Sequence, residues 1–190
     1  YKTLHDDGRP DIEPWPPPPL GVLLQRYALR AVVPRPAVFK AALLAGEAAR
    51  PLLPGSIAAK LPRSQREAGA RPAPRHARRV LMLEGCVQPA LSPNTNAATA
   101  RVLERLGISI VPAEQAGCCG AVDFHLNAQE AGLDRARRNI DAWWPLVEQG
   151  GAEAIVMNAS GCGVTVKEYG HILKHDAAYA ARAERLSALT

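Results

Sequence analysis

Aromatic residues are scarce: three Trp, four Tyr and two Phe make up 5 % of the 190 residues. Any core must therefore be built from Ala, Val, Leu and Ile, which the 47 % hydrophobic content permits. No uninterrupted apolar run approaches the ~20 residues that cross a bilayer as a helix. No secretory signal opens the chain, because residues 1–19 are polar and then Pro-rich. No Cys-x-x-Cys knuckle of the zinc-ribbon kind is present. The segment GCCGAVDF (Gly117–Phe124) lacks the Lys-Ser/Thr ending of a nucleotide phosphate loop. Nothing resembles a hydrolase triad or a flavin fingerprint, so chemistry on an organic substrate is not expected of these residues.

The net charge is +5. Arg71, Arg75, Arg78 and Arg79 carry much of the excess, with no aromatic residues between them on which bases could stack. They read as a solvated basic linker, and no nucleic-acid partner is expected. The first residue is Tyr1, so the expectation is a segment of a longer protein.

The chain divides by texture. Residues 1–19, with Pro16–Pro19 in a row, are expected to be an extended or disordered leader. Residues 20–78 read as a helical, Pro-rich extension and linker, with helices over 21–33, 37–50 and about 55–60 and a charged linker over 61–78. Residues 79–190 read as an α/β domain. Arg79–Glu84, Ile108–Val111 and Ala154–Asn158 have the short apolar character of strands in a parallel sheet. Between and after them come a helix capped by Ser92 and stopped by Gly107, a long helix over 127–149 and helices over 163–174 and 177–189. Ala98, Val102 and Leu106 recur at spacing four and predict the buried stripe of the first of these. One of Trp143 and Trp144 is expected in the core and the other partly exposed. Alternating strands and helices predict a parallel sheet.

The four cysteines then acquire a pattern. Cys86 follows the first strand, Cys118 and Cys119 the second, and Cys162 the third, just before a helix. In a parallel sheet these positions share one edge, where ligands gather. Each cysteine has a neighbouring glycine, which lets backbone approach a bulky group. In a reducing cytosol, clustered cysteines more often bind metal or do redox chemistry than form structural disulfides. An iron–sulfur cluster, a structural zinc ion and buried thiols with no metal all remain open, as does a thiol–disulfide enzyme using Cys118 and Cys119. A vicinal Cys118–Cys119 disulfide would need Cα atoms ~3.8 Å apart, below the usual disulfide range. His125 is either an extra ligand or a packing residue. Glu84 reads as a strand-end carboxylate or a support for the site. Lys167, Tyr169 and His171 read as a solvated face or a place for a partner.

The arrangement Cys86 … Cys118-Cys119-Gly120 … Cys162 resembles the cysteine-rich CCG domain family. The runs VLMLEGCVQPALSPNTNAATARVLERLGISIVPAEQAGCCGAVDFHLNAQE, RRNIDAWWP and NASGCGVTVKEYGHILK are similar to those of glycolate oxidase iron–sulfur subunits. So is the upstream run VVPRPAVFKAALLAGEAARPLLPGSIAAKLP. The resemblance implies an electron-transfer subunit that works with FAD-linked partners oxidising glycolate to glyoxylate and sends electrons towards quinone. It implies Cys86, Cys118, Cys119 and Cys162 as ligands of an iron–sulfur cluster, of the 4Fe–4S type. It also implies a cytoplasmic location, with peripheral attachment to the inner face of the membrane through the complex. A ferredoxin-like domain and a second CCG domain would be missing from this chain. The alternative is a zinc-binding or metal-free module that bridges subunits. The broader CCG pattern ends in Cys-x-x-Cys, whereas here it reads Ala159-Ser160-Gly161-Cys162, which leaves four thiolates rather than five.

Overall fold

The computed structural model describes residues 18–62 and 69–190. Nearly all of the expected leader, and part of the expected linker, lie outside the described residues. Helices α1 (Leu20–Val32) and α2 (Pro36–Ala49) come first, followed by a short 3-10 turn (Arg50–Leu52) and α3 (Gly55–Ala58). Pro36 stands at the start of α2, where a missing N–H costs nothing. None of these elements contributes a buried residue. Leu20, Leu24, Tyr27 and Leu44 are among their exposed large side chains. Among the described residues, no helix is long and apolar enough to cross a membrane.

Strands β1 (Arg78–Met82), β2 (Ile108–Val111) and β3 (Ala154–Val156) form a parallel sheet in the order β2-β1-β3. Val80 stands opposite Ile110 on one side and Ala154 on the other. The buried run Val80-Leu81-Met82-Leu83 suits a central strand covered on both faces. The buried Ser109 hydroxyl on β2 accepts from the N–H groups of Arg75 and His76, both at 2.9 Å, and so ties the linker to the sheet.

Helices α4 (Gln88–Leu91) and α5 (Pro93–Arg105) connect β1 to β2, and α6 (Ala121–His125) and α7 (Gln129–Glu148) connect β2 to β3. After β3 come α8 (Ser160–Lys167), α9 (Tyr169–Ile172) and α10 (Ala180–Leu189). Leu81, Ile140, Trp143, Ile155, Val166, Leu173 and Leu186 form the main core against the sheet. As expected of the Trp pair, Trp143 is fully buried and Trp144 only partly so.

Several local expectations are corrected. In α5 the buried face is Asn96, Ala97 and Ala100, while Val102 and Leu106 are mostly exposed. Small side chains there leave room for Asn96 to hydrogen-bond the end of β1, which a spacing rule for apolar residues does not register. Ser92 occupies the N-cap position of α5 without a side-chain cap bond. The helix expected over 163–174 begins earlier, at Ser160, and is two helices. Ser187 Oγ on α10 accepts from Gly170 N–H and donates to the Val166 carbonyl, both at 3.0 Å. Groups that one continuous helix would pair internally are thus bonded to a neighbour. Solvation of the basic linker is partly offset by pairing: Arg71 meets Glu84, Arg75 meets Glu104 and Arg78 meets Glu153.

Candidate metal centre

All three strands end at the same edge of the sheet, and the four cysteines lie just beyond it. Cys86 is in the β1–α4 loop, Cys118 and Cys119 are in the β2–α6 loop, and Cys162 is in the first turn of α8. The last position corrects the expectation that Cys162 precedes its helix. The thiols are free, three of them buried and Cys162 half-buried. Their sulfurs hydrogen-bond in a row, Cys86 to Cys118, Cys118 to Cys119 and Cys119 to Cys162. The topology therefore gathers all four predicted residues.

Adjacent cysteines on an extended chain would face opposite ways. Here the chain turns at Gly120, whose φ of +95° is in the region that disfavours side chains. A Cβ on Gly120 would also sit 2.9 Å from the Gly132 carbonyl oxygen of α7. Gly132 in turn leaves space for the Phe124 ring, which a Cβ there would meet at 2.6 Å. Two glycines thus let α6 and α7 approach closely beneath the paired cysteines.

A buried polar cluster fixes this loop from below. Asn139 on α7 accepts from the Gly117 N–H at 2.8 Å and donates to the Cys118 carbonyl at 3.1 Å and to the Tyr169 hydroxyl at 3.1 Å. The Tyr169 hydroxyl donates to the Cys119 carbonyl at 2.8 Å. Both side chains are fully buried. Burial holds the Tyr169 phenol well above its usual pKa, so it remains a donor. The expectation of a solvated Tyr169 is therefore overturned: it continues the buried face of Thr165, Val166 and Leu173 at spacings of three and four, while Lys167 and His171 stay exposed. Asn139 escaped notice because a lone Asn in a helix has no distinguishing sequence signal.

Charge is distributed unevenly along the row. Hydrogen bonds from Cys119 and Cys86, helped by the Gly120 N–H and the Arg135 guanidinium, bring Cys118 down to about 3. Cys162 is lowered by its bond from Cys119. Cys86 is raised by its bond to Cys118 and by burial, and Cys119 by its bonds to Cys118 and Cys162 and by burial. The bonds favour thiolate, the form in which sulfur binds metal, at Cys118 and Cys162, and thiol at Cys86 and Cys119. Arg135 is held in place by Asp123, a buried carboxylate that also pairs with Arg30 of α1 at 3.4 Å. Glu84 makes a two-pronged pair with Arg71, at 2.5 and 2.7 Å, and accepts from Asn96 at 2.8 Å. His125 is exposed at the end of α6.

The donor set is all sulfur. Among the described residues, no three His, Cys, Asp or Glu side chains surround one point where a single ion could sit. A tetrahedral zinc site needs four thiolates around one such point at ~2.3 Å. Four thiolates are a donor set that suits an iron–sulfur cluster and a zinc ion alike.

Residues 80–167 match the cysteine-rich domain family designated CCG. Over 189 residues it is 61 % identical to the glycolate oxidase iron-sulfur subunit of Escherichia coli (strain K12), covering all of this chain and 46 % of that protein. It is 38 % identical over 107 residues to the probable glycolate oxidase iron-sulfur subunit of Bacillus subtilis (strain 168), covering 56 % of this chain and 23 % of that one. Lactate utilization protein A of Bacillus pumilus (strain SAFR-032) is 30 % identical over 105 residues, 55 % of this chain and 42 % of that one. The chain thus spans less than half the length of these relatives. No solved structure matches it.

Proposed function

We propose that this chain is an electron-transfer module of a glycolate oxidase, with Cys86, Cys118, Cys119 and Cys162 holding an iron–sulfur cluster of the 4Fe–4S type. The observation that carries the reading is the gathering of four thiols at one sheet edge, in a chain 61 % identical to an iron-sulfur subunit of that enzyme. When bound, the cluster supplies a one-electron carrier. The residues of this chain hold it, shield it from water and set the charge around it. Gly120 N–H and Arg135 stabilise thiolate at Cys118, and the first turn of α8 presents Cys162 at a helix N-terminus.

Oxidation of glycolate to glyoxylate releases two electrons and two protons. That step belongs in this reading to FAD-linked partner subunits, and this chain carries the electrons onward towards quinone. It does so on the cytoplasmic side, at the inner face of the membrane, attached through the complex.

The test is iron, acid-labile sulfide and zinc per chain after anaerobic reconstitution, with an EPR spectrum of the reduced protein. About four irons and four sulfides, lost in Cys118→Ser and in Cys162→Ser, are expected. Stoichiometric zinc without sulfide would overturn the proposal and leave a structural module between subunits.

A further inference from the structure

Tyr169 reaches the cysteine site without touching a sulfur. Its hydroxyl donates to the carbonyl of Cys119. That carbonyl belongs to the peptide plane whose N–H is carried by Gly120. In a trans peptide C=O and N–H point in opposite directions, so holding one aims the other. The Gly120 N–H is aimed at the Cys118 sulfur, to which it hydrogen-bonds. Asn139 secures the arrangement by donating to the Tyr169 oxygen and to the preceding carbonyl, that of Cys118. The result is a chain of polarised bonds from Asn139 to Tyr169, through one peptide unit, to a sulfur. Gly120 takes no part through a side chain, and its positive φ is what permits this orientation.

From this connection we propose that Tyr169 is a positioning residue that tunes the reduction potential of the site by holding the Gly120 N–H on the Cys118 sulfur. The proposal rests on the iron–sulfur reading above. The direction follows from charge. Reduction adds an electron to the cluster and its sulfurs, and an N–H dipole aimed at a sulfur favours the more negative form. Polarisation along the chain strengthens that bond. Releasing the peptide weakens it and favours the oxidised form, so the potential falls.

Two measurements decide the matter, one of which needs no metal. In the cluster-free chain, hydrogen exchange of the Gly120 amide is followed by NMR in the natural sequence and in Tyr169→Phe. Phe keeps the ring and its packing and removes only the hydroxyl. Exchange at Gly120 is expected to rise about tenfold, the effect of losing one hydrogen bond's support. In the reconstituted protein, a redox titration followed by EPR is expected to give a more negative midpoint for Tyr169→Phe. Leu173→Val, which loosens the same core without a hydrogen bond to the loop, is expected to leave the midpoint unchanged. Unchanged exchange at Gly120, or an equal potential shift in both variants, would overturn the proposal. A chain that takes up no iron would defeat the iron–sulfur reading, and with it the tuning of a potential, whereas the exchange measurement alone decides whether Tyr169 holds the peptide.

Discussion

Gly120 and Gly107 both have positive φ, +95° and +75°, yet their surroundings differ completely. A methyl group at Gly107 would meet no atom within 4 Å. At Gly120 it would meet the Gly132 carbonyl oxygen at 2.9 Å and the Phe124 ring at 3.2 Å. Gly107→Ala should therefore cost only the backbone penalty of a left-handed alanine, about 1 kcal/mol. Gly120→Ala should add an overpacking cost of about 2 kcal/mol, because the oxygen it strikes is backbone and cannot swing away. The total for Gly120→Ala is about 3 kcal/mol. Urea unfolding of the two variants, followed by far-UV circular dichroism and by the fluorescence of buried Trp143, gives the difference directly. If Gly120→Ala is no less stable than Gly107→Ala, the close approach of α6 to α7 does not set the turn that pairs Cys118 with Cys119.

Other expectations rest on the same network. Asn139→Ala leaves the Gly117 N–H and the Cys118 carbonyl without their partner and should cost about 3 kcal/mol in urea unfolding; a loss under about 1 kcal/mol would show that water replaces the amide. Arg135→Ala leaves the buried Asp123 carboxylate with the longer Arg30 contact and should cost about 3 kcal/mol, whereas Arg30→Ala, on a more exposed side chain, should cost about 0.5 kcal/mol; equal losses would contradict the assignment of Arg135 as the main partner. The Asp176 carboxyl is held below its usual range by its hydrogen bond from Arg137, so its titration by NMR should move upward in Arg137→Gln. A carboxyl that titrates at the same pH in both proteins would place the cause elsewhere.

Strand texture and cysteine placement made the sheet and the site legible. Arg79–Glu84 reads as a buried strand, and cysteines that follow successive parallel strands share one edge. The supporting layer was missed. Grouping Tyr169 with exposed Lys167 and His171 overlooks that it lies three and four residues from buried Val166, Thr165 and Leu173, on the opposite face. The face of α5 was misread because Asn96 is buried for its hydrogen bonds and Ala97 for its size, so neither follows an apolar spacing rule. Helix α6 is five residues long and starts from a positive-φ glycine, which leaves almost no periodicity to detect.

The sulfurs come from two loops and the first turn of α8, each following a different strand and separated from the next by a crossover. During synthesis the first three cysteines emerge well before Cys162, so the site cannot close on a partly made chain. Closing these long loops is an entropic cost of folding the sheet and not of binding a metal group. A preformed pocket of this kind spends little of its binding free energy on ordering the backbone, unlike small metal-dependent domains whose folding waits for the ion. A metal group held by these cysteines would thus be bound only after β3 has joined the sheet.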